Sequence, residues 1–411
     1  MNVLDVHLDD AQLLPGAPTV GHLYRDAGRR GDAIRFEYHP DWLAHPQAFA
    51  IDPLLPLQAG PFHARDPAQP PAIFQDCAPD RWGRLLMDRR ETMDARTAAR
   101  PRRTLRAWDY LVGVDDGTRM GALRLWDPAG GRYLTCLQPS APPMTSLREL
   151  EAAARLLEQD GGQDVDAQIR QLIAPGGSLG GARPKASFVD EHGGLWLAKF
   201  PSAEDRHDVG LWEYVAWRLA GAAGIRLPEA RLLPLSRRGH TFASRRFDRT
   251  PAGRRLYASA CTLLDRESDS ASYLDLAEAV ETQGAAGSVA EGLEQLFRRA
   301  VFNVLVGNRD DHLRNHGFLR QPTGWMLSPA FDVNPNPHKE THVLALDEAD
   351  PTPDTRLLLD THAYYRMPRE GAAQVLEQVR ASVRQWVRMA QALGAGRHEL
   401  AMMEPIIDPE R

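Results

Sequence analysis

One segment, Gly307-Asn-Arg-Asp-Asp-His-Leu-Arg-Asn315, constrains this chain more than any other. It follows directly on an apolar helical run in which Val289, Leu293, Leu296, Phe297, Ala300, Val301 and Val304 share one face. The polar cluster therefore sits on a loop anchored by the core. Packing Asn, Asp and His together after a buried helix costs desolvation unless hydrogen bonding or chemistry uses them. A polar turn with solvated charges is the alternative.

Within the segment, Asp310 and Asn315 keep the Asp-x4-Asn spacing of a kinase catalytic loop, where Asp orients the substrate hydroxyl and Asn offers oxygen to Mg2+. Further on, Trp325-Met-Leu-Ser-Pro-Ala-Phe-Asp332 reads as a short apolar strand delivering Asp332 at its end. A hard divalent cation wants such carboxylate oxygens. Upstream, Gly176-Gly-Ser-Leu-Gly-Gly181 lets backbone N–H groups approach phosphate oxygens, although a flexible connector has the same composition. No Gly-Lys-Ser/Thr ends it, so it is not a Walker A loop. In Leu195-Trp-Leu-Ala-Lys-Phe200, Lys199 shares a strand face with Leu195 and Leu197. It wants an anion there, or it snorkels to water. Glu213, on the next expected helix, can pair with it, as the strand lysine and helix glutamate do in kinases. Glycine-rich loop, strand lysine, helix glutamate, Asp with downstream Asn, then Asp is the order of a protein kinase. His-Arg-Asp, Asp-Phe-Gly and Ala-Pro-Glu are all missing.

Composition excludes other classes. Hydrophobic residues make up 43% and charged residues 25%, ordinary globular values that argue against a disordered chain. The net charge of −6 disfavours a dominant nucleic-acid or anionic-membrane surface. Arginines 96, 100, 102, 103 and 106 lack interleaved aromatics and read as a solvated arm. Cys77, Cys136 and Cys261 form no CxxC pair, so neither a disulfide framework nor a zinc ribbon is expected. With no apolar run of about 18 residues and no secretory signal, the expectation is a soluble, cytoplasmic protein without membrane contact.

The first residues look β-rich. Arg35–Tyr38 alternates like a strand, and Asp80–Arg90 turns helical with Trp82, Leu85 and Leu86 on one face. Pro139-Ser-Ala-Pro-Pro143 is the best linker, followed by a capping box from Ser146 to Glu149. Ala186–Val189 and Leu195–Phe200 form an expected hairpin. Val209, Trp212, Ala216 and Leu219 mark a helix, and Arg231–Leu235 and Thr241–Phe247 read as strands. Beyond about 270 the chain is mostly helical, ending on one helix lined by Val375, Val379, Val383, Trp386 and Leu393.

These residues resemble the HipA family of serine/threonine kinases, the toxins of bacterial type II toxin–antitoxin systems. Ser178-Leu-Gly-Gly-Ala-Arg-Pro-Lys185 is similar to the family's Gly-rich loop, Asn308–Asn315 to its catalytic loop, and Pro329-Ala-Phe-Asp-Val333 to its metal motif. Phe74-Gln-Asp-Cys-Ala-Pro-Asp-Arg-Trp-Gly-Arg84 is similar to its N-terminal subdomain motif, and Arg246-Phe-Asp-Arg249 to the segment joining the lobes. The implied fold is α+β, two-lobed and protein-kinase-like. A β-rich N-terminal lobe carries an extra N-terminal subdomain, and the C-terminal lobe is mainly helical. The expected domains are an N-terminal subdomain over 1–140, a nucleotide-binding small lobe over 145–250 and a helical catalytic lobe over 251–411.

The resemblance implies ATP, Mg2+ and a protein-hydroxyl substrate. Asp310 would be the catalytic base, and Asn315 and Asp332 the Mg2+ ligands. Gly177, Ser178, Leu179, Gly180, Gly181, Lys185, Lys199, Arg246, Phe247 and His312 would line the nucleotide site, with Glu213 in an ion pair. Ser178 matches the family's autophosphorylation serine, whose modification switches the kinase off. The usual partner is a HipB-like helix-turn-helix antitoxin, through which DNA is reached indirectly. Characterised members phosphorylate aminoacyl-tRNA synthetases and arrest translation. Two departures stand out: Arg245 where the family commonly has Glu, and a neutral Tyr257-Ala-Ser-Ala-Cys261.

Two other readings compete. A metal-dependent hydrolase could use Asp310, Asp311, His312 and His316, although Asn308, Asp310 and Gly317 disfavour the helix that would align the histidines. In that comparison His312 is expected to brace the loop by hydrogen bonds and His316 to be incidental. A catalytically inactive, antitoxin-binding pseudokinase is the second; it need not keep Lys199, Asp310, Asn315 and Asp332.

Overall fold

Period-2 patterning builds the first part of the chain. In Val3–Leu8 (β1) the side chains of Leu4, Val6 and Leu8 are fully buried while their neighbours face outward. β1 pairs antiparallel with Thr19–Gly28 (β2), which pairs with Gly31–Tyr38 (β3). With Phe62–His63 (β4), Leu123–Asp127 (β5) and Arg132–Tyr133 (β6), a six-stranded sheet forms in the order β4-β3-β2-β1-β5-β6. The computed structural model describes residues 2–28, 31–136, 140–159, 172, 181 and 183–411.

The chain divides into two compact units. The first comprises Met1–Ala203 with Asp248–Ala258, the second Glu204–Phe247 with Ser259–Arg411. In the first, helix Arg81–Thr97 starts at Asp80, whose carboxylate accepts from the Gly83 amide at 2.7 Å. Lys185–Val189 (β7) and Leu195–Lys199 (β8) form the expected hairpin. Trp196 and Ala198 are buried to 0% exposure, and Leu195, Leu197 and Lys199 take the half-buried face. Pro143 bridges to Val189 inside this unit, and Ser146 ends a short 3-10 turn that leads into helix Leu147–Gln159. The return segment is held by buried carboxylates. Asp10 accepts from the Leu256 amide at 2.8 Å and pairs with Arg255, and Asp116 pairs with Arg254 at 3.1 Å.

The arginine run is not simply a solvated arm. Arg100 and Arg103 both clamp Glu91, at 2.5 and 3.1 Å, and the Arg103 amide adds a 2.8 Å bond. Glu91 lies on the inner side of helix Arg81–Thr97 and needs these partners to be buried there.

In the second unit, helix Val209–Ala222 packs Trp212 against Trp386, with ring centroids 6.1 Å apart. Ala230–Leu233 (β9) pairs with Thr241–Arg245 (β10). Helix Val289–Val306 forms the core, with Leu293, Leu296, Phe297, Ala300 and Val304 at 0% exposure. The C-terminal apolar pattern is two helices, Arg369–Val383 and Trp386–Ala392, where one was expected. Both halves keep their apolar face inward across the break, so periodicity alone did not reveal it. No described helix is long and apolar enough to cross a membrane. Helices and sheets together make an α+β fold.

Candidate functional site

Gly307 ends helix Val289–Val306 in the left-handed conformation, φ 73°. A Cβ there would lie 2.7 Å from the Ile406 carbonyl oxygen, so only glycine fits this turn. The chain then reverses, and side chains alternate between core and solvent. Asp310 is exposed, its side chain 53% accessible, while the Asp311 side chain is 5% accessible.

Asp311 is the brace. Its Oδ2 accepts from Asn303 Nδ2 at 3.0 Å, from the Tyr273 hydroxyl, and meets His316 Nε2 at 2.8 Å. Asn303 also donates to the Tyr273 hydroxyl at 2.8 Å and accepts from Asn308 Nδ2 at 3.1 Å. Burial alone would push the Asp311 carboxyl up; His316 and Tyr273 hold it below the usual carboxylate range. Burial, with Asp311 alongside, pushes the Tyr273 phenol well up, so it stays a donor.

This reverses the expectation for the two histidines. His316 braces the loop with its ring, because the 3-10 turn Leu313–Asn315 swings it inward. The His312 ring has its Nδ1 buried without a hydrogen-bond partner, and only its carbonyl ties the turn, accepting from the Asn315 amide at 2.8 Å. Asp310, Asp311, His312 and His316 are not gathered around a common point. Among the described residues no group of three His, Cys, Asp or Glu is placed to hold a metal ion.

Asn315 Nδ2 donates to the Asp310 carbonyl at 3.3 Å, which leaves its Oδ1 as an acceptor. Asp332 follows strand Gly324–Leu327 through a short coil and takes a left-handed φ of 57°. Asp tolerates that region better than most residues, and such backbone persists where surrounding structure imposes it. Just before it, the Phe331 ring lies 5.5 Å from that of Phe247, so the segment containing Arg246 and Phe247 meets the Asp332 motif. Arg246 is buried at 5% exposure, while Arg245 is exposed and its amide bonds the Glu229 carbonyl at 2.8 Å. Asp310, His312, Asn315, Asp332, Arg246 and Phe247 thus belong to one unit. So does Glu213, buried on helix Val209–Ala222.

Lys185 and Lys199 lie in the first unit, at opposed positions of the β7–β8 hairpin. Lys185 Nζ is 2.8 Å from Asp80 Oδ2, with its side chain 1% exposed. Trp82 Nε1 donates to the Lys185 carbonyl at 2.9 Å, and the Trp82 amide reaches the Gly181 carbonyl at 3.4 Å. Burial pushes the Asp80 carboxyl up against the pull of Lys185. Lys185 therefore fastens the exit of the glycine-rich segment to the Phe74–Arg84 motif, a partnership that sequence spacing did not show. Gly176, Gly177, Ser178, Leu179 and Gly180 lie outside the described residues.

Two site neighbours had no sequence signal: Tyr273, on a helix far upstream, and Lys339, whose ammonium pairs with Asp310 Oδ1.

The HipA-like C-terminal domain matches residues 177–387, and the HipA N-terminal domain matches residues 11–106. The solved HipA of Shewanella oneidensis MR-1, in its complex with HipB and operator DNA, superposes with a TM-score of 0.62 at 15% identity. That match covers 98% of this chain and 95% of that one. A Helicobacter pylori kinase, CtkA, aligns over 54% of this chain and 90% of its own at 15% identity, with a TM-score of 0.36. A curated protein of Sinorhizobium fredii, "Putative kinase Y4dM", is 29% identical over 160 residues, 34% of this chain. The chain spans 37% of the length of that relative. With one family model alone covering half of its length and a second matching its N-terminal part, the chain belongs to the HipA family.

Proposed function

We propose that this chain is an ATP- and Mg2+-dependent serine/threonine protein kinase that acts as the toxin of a toxin–antitoxin pair. The observation that carries the reading is the contrast between adjacent aspartates: Asp311 is buried and braced on three sides, and Asp310 is presented to solvent beside it. A rigidly held, accessible carboxylate is what orienting a substrate hydroxyl requires.

In the reaction, the hydroxyl oxygen bonds to the γ-phosphorus, the bond to the β–γ bridging oxygen breaks, and ADP leaves with that electron pair. The hydroxyl proton passes to Asp310. The donor set suits a hard cation: Asn315 offers Oδ1, Asp332 a carboxylate, and the buried Asn334 Oδ1 has no hydrogen-bond partner. Asn315 and Asp332 would hold Mg2+, which neutralises charge on the phosphates when bound. Lys199 is assigned a phosphate contact, backbone groups near Arg246 and Phe247 the adenine, and Gly177–Gly181 the phosphate cradle. Lys185 enters as the anchor of that cradle, given its pairing with Asp80.

The substrate class is a protein hydroxyl, with an aminoacyl-tRNA synthetase as the family precedent. The partner is a HipB-like antitoxin, DNA being reached through it. Ser178 is the self-phosphorylation site: a phosphate there adds about −1.5 to −2 charge beside those of ATP.

The test is Asp310→Asn in the full chain. Phosphate transfer from Mg2+–ATP, to the chain itself and to host proteins, should fall by at least about 100-fold with nucleotide binding kept. Growth arrest on expression should vanish with it. Transfer at the wild-type rate would remove Asp310 from the reaction.

A further inference from the structure

The contact between Lys339 and Asp310 calls for an explanation that stability does not supply. The two side chains are 40% and 53% exposed, and a solvent-exposed ion pair adds little to stability. Yet the backbone carrying Lys339 is tied to the catalytic loop at two points. Arg309 Nη1 donates to the Lys339 carbonyl at 2.5 Å, and the Asn336 amide donates to the Gly307 carbonyl at 2.9 Å. Arg309 is itself nearly buried, so the first tether is not a loose surface contact. The loop that presents Asp310 also holds, through its own neighbours, the lysine that meets Asp310.

We propose that Lys339 is a positioning residue for phosphoryl transfer, which fixes the Asp310 carboxylate. The inference rests on Asp310 being the catalytic base. A free aspartate rotates about χ1 and χ2, and its two oxygens exchange places. With Oδ1 bound by Lys339 and the Asp310 backbone carbonyl bound by Asn315 Nδ2 at 3.3 Å, the residue is held at its backbone and at one carboxylate oxygen. Oδ2 is left to receive the hydroxyl proton. The step keeps its balance: the proton moves from substrate oxygen to Oδ2, and Lys339 stays protonated throughout. A fixed ammonium beside the base also needs no reorganisation to stabilise negative charge that develops next to it. His338 and Glu340, on either side, are exposed and make no bond to Asp310 among the described residues.

The experiment compares Lys339→Met and Lys339→Arg with wild type in the full chain. The readouts are phosphate transfer from Mg2+–ATP to the chain itself and to water, and ATP affinity by a fluorescent ATP analogue. Lys339→Met should lower the transfer rate constant by about 10- to 100-fold, with ATP affinity within about twofold. Lys339→Arg, which keeps the charge, should recover most of the loss. In an Asp310→Asn background, Lys339→Met should cost nothing further, because there is no carboxylate left to position. A merely structural lysine would cost the same in both backgrounds.

An unchanged rate in Lys339→Met overturns the proposal. So does a raised rate, which would mean that the lysine masks Asp310. If the wild-type chain transfers no phosphate, the kinase reading has failed, and hydrogen exchange then decides the contact itself. Lys339→Met should speed exchange of the amides in 308–316 alone; equal protection overturns the positioning role.

Discussion

Lys185 Nζ and Asp80 Oδ2 lie 2.8 Å apart, with side chains 1% and 8% exposed, joining residues more than a hundred positions apart in the chain. Removing one partner of such a pair leaves an uncompensated buried charge, at a cost of about 3–5 kcal/mol. Lys185→Met should therefore lower the denaturation midpoint clearly. Lys185→Met with Asp80→Asn should regain more than half of the loss, because Asn removes the charge and keeps the cap on Gly83. Urea titrations of wild type, single and double variants check this; coincident curves for wild type and Lys185→Met would refute it.

Asp332 calls for a substitution that respects its backbone. Asn tolerates a left-handed φ as Asp does, so Asp332→Asn should keep the fold while losing the charge. We expect ATP affinity to fall by roughly 10- to 100-fold in saturating Mg2+, the worth of a charge-assisted interaction of about 1.5–3 kcal/mol. Without Mg2+ the two proteins should bind ATP alike. Calorimetric titrations with and without the cation separate the cases, and equal affinity in Mg2+ would remove Asp332 from the site.

His342 gives the protein a pH dependence of stability. Burial lowers its pKa from 6.5 to about 4, with Arg309 and Arg411 adding to the effect and Asp311 opposing it. The unfolded chain then binds the proton more readily than the folded one, so stability is complete above 6.5 and falls as pH drops towards 4. At pH 5 the loss should be about 2 kcal/mol. In His342→Gln, the drop in unfolding midpoint between pH 7 and pH 5 should be visibly smaller. An equal drop in both proteins would show that other groups carry it.

Much of the candidate site is legible in the sequence, because its elements are local. Asp310 and Asn315 lie within one loop at a fixed spacing, and the apolar face of helix Val289–Val306 announces where that loop begins. The β7–β8 hairpin followed from alternation and from Asp190–Gly194. What stayed hidden is what the chain brings together from afar. Tyr273 reaches Asp311 from another helix, Asp80 reaches Lys185 from the N-terminal part, and Lys339 arrives on an irregular segment with no period to follow. The inward turn of His316 is hidden for a related reason. Spacing says how two histidines would align on a helix, whereas a 3-10 turn sends one of them into the core. The break after Val383 escaped because both halves of the pattern stay in phase with the core.

The route of the chain has a practical consequence for anyone dissecting the molecule. The first unit ends at Ala203 in sequence but is completed only by Asp248–Ala258, which brings Arg254 to Asp116 and Arg255 and the Leu256 amide to Asp10. A fragment stopped at Ala203 would strand Asp10, at 0% exposure, without Arg255 and the Leu256 amide, and would leave Asp116 with Arg124 but not Arg254. A fragment begun at Glu204 would carry the missing piece in the wrong half. Fragments cut at that boundary should be poorly soluble, and a soluble first half would need residues 248–258 grafted back through a linker.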